Sequence, residues 1–431
     1  MANKHTISDL YQMQALPLSA KIRMTENRIR AWVNEYGEDG VYVSFSGGKD
    51  STVLLHIARE MYPQMKAVFV DTGLEYPEIR DFVKSFDNVE WLKPKMTFKQ
   101  VIDKYGYPFI SKEVSECVDG ARKYIKILTD RQTDRQTDRQ TVPYNAFMAD
   151  LLGIDRRTNK ENLSYQAIKM GNIPSEIAER EHIKPFINGD KHIYNYECDR
   201  VFGTYGKQPA RLKKLLGTLE HKEKGVATGE KSSMYDRSRY KFFLDAPFNI
   251  SSMCCNVMKK QPTHTYSRQT GRKPMTAQMA SESKMRTQKW LQNGCNGFDM
   301  KSPISNPMAF WTEQDVLLYI KENNLPIASV YGEVVIDYDA EGQLDGQMDM
   351  FDLGIFDKDR RLLKTTGCDR TGCMFCGYGC HLEKSPNRFE IMKETHPKQY
   401  DYIMRPTEQG GLNYKEIIDW INEHGNMDIK Y

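Results

Sequence analysis

The chain reads as an α/β protein built on a doubly wound, mostly parallel sheet. Three observations predict this. Short apolar runs at 41–45, 66–70 and 89–92 alternate with helical patterns. The first run ends in a glycine turn, Ser46-Gly47-Gly48-Lys49-Asp50-Ser51, with a helical pattern directly behind it. The second run ends in Asp71, an acidic residue at the strand end where open α/β sheets place ligands.

Residues 8–36 form the first helical segment, with Leu10, Met13, Leu16, Leu18, Ile22, Ile29 and Val33 near helical intervals. Val41–Phe45 is predicted as the first strand. The helix from Ser51 to about Met61 is expected to bury Val53, Leu54, Leu55 and Ile57. Between them, a helix N-terminus presents unpaired N–H groups to an anion. Gly47 and Gly48 let the backbone approach phosphate oxygens. Ser44 lies within the run, Ser46 and Ser51 add hydroxyls, and Lys49 adds a positive charge. Asp50 sits where a helix N-cap or a Mg²⁺-water contact is expected. The loop lacks the GxxxxGK[ST] pattern of a P-loop.

Lys66–Val70 is the second predicted strand. Asp71 either caps the turn of Thr72 and Gly73 or offers a carboxylate to a nucleotide or its metal. Pro77 suits the first turn of a helix near Glu78–Phe86, and Val89–Leu92 is a third strand. Thr97–Lys104 reads as a short helix and Ser111–Leu128 as a longer amphipathic one. The unit TDRQ then occurs three times over 129–140, without an apolar residue to drive a core. Residues 144–189 read as mostly helical. The basic stretch 205–241 reads as a solvated face, with nucleic-acid contact as the alternative.

In the back half, Cys254-Cys255 precedes Lys259, Lys260 and Pro262. Thr276–Ala280 is predicted as a strand ending in Ser281-Glu282-Ser283, with Arg286 beyond. Arg286 suits bidentate pairing with a phosphate or sulfate, and Lys284 is an alternative. Thr312 and Asp315 frame a capping box for a helix that stops near Pro326. Cys368, Cys373, Cys376 and Cys380 follow as C-x4-C-x2-C-x3-C. Four thiolates so spaced suit zinc or a [4Fe–4S] cluster, and spacing alone does not separate the two. Cys117, Cys198 and Cys295 stand alone.

Composition narrows the class. With 61 Lys+Arg against 58 Asp+Glu over 431 residues, the chain is no general polyanion binder. Its mean hydropathy of −0.65 fits a soluble protein. No apolar run reaches a membrane span and no signal-peptide core is present, so a membrane partner is not expected. Nine cysteines, four of them crowded, suit a reducing, cytoplasmic setting.

SGGKDS resembles the pyrophosphate loop of the adenine-nucleotide α-hydrolase (ATP pyrophosphatase) superfamily, and VFVDTGLEYPE over 68–78 resembles the second motif of its phosphoadenosine phosphosulfate (PAPS) reductase branch. The resemblance spans roughly 25–110 and 250–385. It divides the chain into a helical segment (1–36), the first part of a nucleotide-binding domain (37–110), a mostly helical insertion (111–245), the second part of that domain (246–335) and a cysteine-rich C-terminal region (336–431). It implies that Lys49, Asp50, Asp71 and Arg286 are catalytic. It implies that Ser44, Ser46, Gly47, Gly48, Ser51, Thr72, Gly73 and Glu282 join them in holding the nucleotide. In the family's iron–sulfur members an adjacent cysteine pair and a distant C-x2-C hold the cluster. Cys254-Cys255 and Cys373/Cys376 match that pattern, leaving Cys368 and Cys380 as extras.

Two reactions are implied. In one, ATP with Mg²⁺ is cleaved at the α-phosphate to activate an acceptor for sulfur, a cysteine desulfurase and a nucleic acid being the corresponding donor and acceptor partners. In the other, PAPS or adenosine phosphosulfate (APS) yields sulfite. The full SGGKDS loop and the lack of a cysteine after Cys380 favour the first. A nucleotide- or nucleic-acid-binding module with a structural cluster is the reading from a different class.

Overall fold

In the computed structural model, residues 3–123, 210–223, 226–338 and 362–431 are described. The TDRQ repeat, the 144–189 segment, Cys198, Tyr205 and Lys207 lie outside them. The chain divides into two compact units, Met1–Lys104 with Met253–Cys376, and Tyr105–Ser252 with Gly377–Tyr431.

The first unit holds a six-stranded sheet in the order Val89–Leu92, Ala67–Val70, Val41–Ser44, Lys273–Met275, Ile304–Ser305, Asn296–Gly297. Neighbours are parallel except the last pair, which is antiparallel. Val43 pairs with Ala67 on one side, and Met275, which pairs with Val43 on the other, also pairs with Ser305. The chain therefore leaves the Val41–Ser44 strand toward one edge and later returns on its other side. This is a topological switch point, and the glycine turn sits at its carboxyl end.

Alternation along the strands explains why both faces are covered. Val41, Val43, Ala67 and Phe69 face one core with Ile29, Trp32, Val53, Leu54 and Ile57. Tyr42 and Val68 face the other side, against Tyr266. The Tyr42 and Tyr266 rings meet edge-on at 5.3 Å, and the Tyr42 hydroxyl is 3.0 Å from Ser267 Oγ. The four residues expected to be buried behind the loop are all buried.

The predicted 8–36 helix is two helices, Ile7–Gln14 and Leu18–Tyr36, because Pro17 precedes the second and cannot continue the first. The longer helix buries Lys21, whose Nζ lies 2.6 Å from Asp315 Oδ2 with both side chains almost fully enclosed. Asp315 also closes the predicted capping box with Thr312 at the start of Glu313–Glu322. The strand predicted at Thr276–Ala280 lies earlier, at Lys273–Met275. After Met275 the chain bends into a single 3₁₀ turn, Ala280–Glu282.

In the second unit, Phe109–Ile110 pairs in parallel with Gly377–Tyr378, and Glu220–Glu223 forms a hairpin with Val226–Lys231. The described part of the predicted 111–128 helix covers 112–123. Glu113 on it holds Lys214 at 2.6 Å and Arg237 at 2.7 Å, and Glu116 meets Arg211. Several charges of the basic stretch are thus used within the unit. Arg122 donates to the carbonyls of Phe243, Ala246 and Phe248. Among the described residues, no helix is long and apolar enough to cross a membrane.

Candidate active site

The glycine turn is held from inside. The Ser46 N–H donates to Ser51 Oγ at 3.2 Å, and the Gly48 N–H donates to Ser46 Oγ at 3.3 Å. The Ser51 hydroxyl donates to the Gly48 carbonyl at 2.9 Å. The two serines expected to face the phosphate are therefore also the internal braces of the loop. Gly47 has φ +70°, and a Cβ there would stand 2.8 Å from Ile79 Cγ2 and from Val83 Cγ2. Only glycine meets both demands. The helix begins at Lys49 with Gly48 as its N-cap. This corrects the expected capping role for Asp50, which lies in the first turn. Ser44 closes the strand and is half-buried.

Charged groups converge on this turn. Lys49 is nearly buried, with Nζ 3.5 Å from Glu313 Oε1 and 5.3 Å above the Tyr331 ring. Arg370 reaches Glu313 Oε2 at 3.9 Å and Glu282 Oε1 at 3.6 Å. Arg286 pairs with Glu282. Burial pushes the Asp50 carboxyl up from its ordinary range, while Arg370 and Lys49 pull it down by less. Burial and the neighbouring Arg370 lower the pKa of Arg286. The Tyr331 hydroxyl shares a hydrogen bond with Thr371 Oγ1 and is pushed up to about 12 by burial, so it stays neutral. Three cations and three carboxylates balance one another here. An incoming anion can take over the cations that Glu282 and Glu313 now hold.

The second strand end is a built turn. Asp71 Oδ1 accepts from the Gly73 N–H at 3.3 Å, and Oδ2 lies 2.9 Å from Arg80. Thr72 donates through its N–H and its hydroxyl to Glu75, at 3.0 and 2.7 Å. Asp71 thus performs the turn-capping use that its position allows. Gly73 has φ +73° with open space around it.

Cys254 and Cys255 begin a helix that passes through one π turn, Asn256–Lys260, before continuing as Gln261–Thr270. A hydrogen bond with Cys255 and burial, then the charges of Cys255, Cys376 and Cys373, drive the Cys254 thiol far up. Burial lifts Cys373 to about 11, with Cys376 and Glu75 adding to it and Lys259 opposing. Burial disfavours the Lys259 charge, but Cys373, Glu75 and Cys255 outweigh it and raise its pKa. The four thiols of the adjacent pair and the C-x2-C are therefore electrostatic neighbours. Cys368 is raised by burial and bonded to Tyr76 instead. Cys380 belongs to the second unit and is buried there. Among the described residues, no group of three or more His, Cys, Asp or Glu is set as a ready metal cage. As a donor set, four thiols with one lysine fit a thiolate-ligated metal or cluster, whose bound form removes the mutual repulsion.

The model of the phosphoadenosine phosphosulfate reductase domain matches residues 40–188 and 206–378. The chain belongs to that family. This places it in the adenine-nucleotide α-hydrolase superfamily. An uncharacterized protein of Methanocaldococcus jannaschii is 40% identical over 73 residues, 16% of this chain and 18% of that protein. A phosphoadenosine 5′-phosphosulfate reductase of Xylella fastidiosa is 33% identical over 73 residues, 17% of this chain and 30% of its own length. The chain thus spans less than a third of the curated relatives it matches. A crystal structure of the phosphoadenylyl-sulfate reductase of Candida auris, in a phosphate complex, aligns with a TM-score of 0.30 and 10% identity, covering 76% of this chain and 92% of that one.

In this PAPS reductase family member, four residues of the site escaped the sequence. Glu313 passes for a first-turn acid of a capped helix. Arg370 and Thr371 hide inside the cysteine motif, and Tyr331 lies in a segment that reads as structural. Arg370, between Cys368 and Cys373, carries one usable signal: a lone arginine in a glycine- and cysteine-rich turn.

Proposed function

We propose that this PAPS reductase family member cleaves ATP at the α-phosphate and so activates an acceptor for sulfur transfer. The observation that supports this best is the convergence of Lys49, Arg286 and Arg370 on the glycine turn. An acceptor oxygen bonds to the α-phosphorus, and the bond from that phosphorus to the bridging oxygen breaks. Pyrophosphate leaves with the electron pair. The terminal sulfur of a donor persulfide then attacks the activated acceptor, AMP leaves with the electron pair of the broken bond, and a second thiol frees the thiolated acceptor from the donor by disulfide exchange. The loop N–H groups and Lys49 hold the β- and γ-phosphates, while Arg286 and Arg370 face the charge that grows on the leaving group. Positioning and charge stabilisation of this kind carry phosphoryl-type chemistry. Mg²⁺ arrives with the nucleotide as substrate, and Asp50, Glu282 and Glu313 are the carboxylates available to it.

Cys254, Cys255, Cys373 and Cys376 would hold a [4Fe–4S] cluster, with zinc as the alternative for the same thiols. A cluster there supplies electron-transfer or sulfur-carrying chemistry. Lys259 balances the net negative charge of the set. A cysteine desulfurase would serve as the sulfur donor.

Sulfite release from PAPS or APS is the second reading, and the Xylella fastidiosa relative's name favours it. One experiment separates the two. Anaerobically purified protein is given ATP or PAPS together with a dithiol reductant, and pyrophosphate and sulfite are measured in the same samples. Pyrophosphate from ATP supports the proposal. Sulfite from PAPS without pyrophosphate from ATP overturns it.

A further inference from the structure

A groove of about 1020 Å³ opens in the first unit along the helix Gln261–Thr270. Its wall holds five lysines and two arginines and no carboxylate. That asymmetry is sharp in a chain whose whole net charge is +3. Arg272 is tied down, donating to the Asp39 carbonyl at 2.7 Å and to the Tyr266 hydroxyl at 3.3 Å. The other six, Lys93, Lys95, Arg268, Lys273, Lys289 and Lys301, have no ion-pair partner among the described residues. Most are exposed. Surface lysines usually alternate with acids, so a groove lined by cations alone concentrates positive potential and focuses an extended anion. Two ring-bearing residues share the wall with these cations, Trp91 half-buried and His264 exposed.

The groove does not end blindly. Lys289, Met300 and Ile304 line both it and a smaller pocket of about 120 Å³, whose wall includes Arg286. Arg286 also pairs with Glu282 beside the glycine turn. A chain lying in the groove is therefore led toward the nucleotide site.

We propose that this groove seats a single-stranded nucleic acid, its phosphates on the six lysine and arginine side chains and its bases against Trp91 and His264. The volume lies at the upper end of the roughly 300–1,000 Å³ of small-molecule clefts, and cations with rings beside them are how single strands are gripped. As a binding surface this stands alone. The further role of that strand as sulfur acceptor rests on the ATP-cleavage reading.

The test measures fluorescence anisotropy of labelled RNA and DNA strands of about 16 nucleotides, the upper site size of a single-strand-binding fold, with duplex DNA alongside. The variant Lys93→Glu/Arg268→Glu/Lys301→Glu reverses three exposed groove charges. Lys384→Glu/Lys393→Glu/Lys398→Glu reverses three exposed charges outside it. The groove variant is expected to lose about tenfold or more in affinity. Its log–log salt slope should shrink by about 2, three phosphate contacts at ~0.7 each. The outside variant keeps the parent affinity. Pyrophosphate release without nucleic acid stays unchanged in both. The milder Lys95→Gln/Lys289→Gln pair should weaken binding in the same direction. Binding with no ATP turnover supports the groove while removing the ATP reading. Equal affinity of the groove variant, no binding of any single strand, tighter binding of duplex, or equal displacement by polyglutamate would overturn the proposal. RNA and DNA arms that differ identify which strand the groove prefers.

Discussion

Glu313 is shared between two cations that the chain brings from far apart: Oε1 lies 3.5 Å from Lys49 Nζ, and Oε2 lies 3.9 Å from Arg370. On the ATP-cleavage reading, this carboxylate competes with a phosphate for the same two cations. Glu313→Gln should therefore tighten the binding of ATP in the presence of EDTA. One ion-pair contact in water at 4 Å is about 1 kcal/mol, or roughly fivefold. Isothermal titration checks this, and weaker binding would count against a phosphate site at Lys49.

Asp50 trades stability for its position. Burial raises its folded pKa above the ordinary carboxyl value of 3.8. Below pH 3.8 the carboxyl is neutral in both states, and its contribution is fully favourable. Stability is lost as pH rises through the raised folded value. At neutral pH Asp50→Asn should thus raise the melting temperature, by about 1 °C for each kcal/mol in a chain of 431 residues. The gain should vanish below pH 3.8. Nucleotide turnover should be lost in the same variant. Calorimetry at the two pH values reads the first, and a pyrophosphate assay the second.

Gly47→Ala meets two obstacles at once, a φ of +70° and a Cβ 2.8 Å from both Ile79 and Val83. Strain and overpacking each cost about 1–3 kcal/mol. Denaturant unfolding should show a loss in that range or above it. A neutral result would mean that the turn relaxes without cost.

The cysteines differ in their neighbours, and bound metal should follow that difference. Cys254→Ser or Cys373→Ser should remove most of the iron from anaerobically purified protein. Cys368→Ser should keep it, because that thiol is bonded to Tyr76. Iron and acid-labile sulfide analysis decides, and zinc in place of iron would select the alternative metal.

How much was legible followed the range of the interactions. The strand–turn–helix at 41–61 was readable because the turn chemistry and both apolar runs are contiguous. Strand ends were read to within a residue at 41, 67 and 89. The strand before Glu282 was misplaced because Lys273-Pro274-Met275 has weak strand character, and the smoother-looking run after it bends away. Glu313, Tyr331 and Arg370 were illegible as site residues for another reason. Each has a sufficient local explanation, and only the folded sheet brings it to the loop. The grouping of Cys254-Cys255 with Cys373 and Cys376 came from the family resemblance, since spacing says nothing about partners more than a hundred residues away.

The most direct test of the central claim is which bond of ATP breaks. Wild-type protein and Lys49→Ala are incubated with Mg-ATP, and nucleotides and phosphates are resolved by anion exchange. With water standing in as the acceptor oxygen, the account predicts AMP and pyrophosphate in equal amounts from the wild type. It predicts a loss of about 10²–10³ in rate for Lys49→Ala, as for other groups that stabilise transition-state charge. ADP with inorganic phosphate, or undiminished turnover in Lys49→Ala, would contradict it.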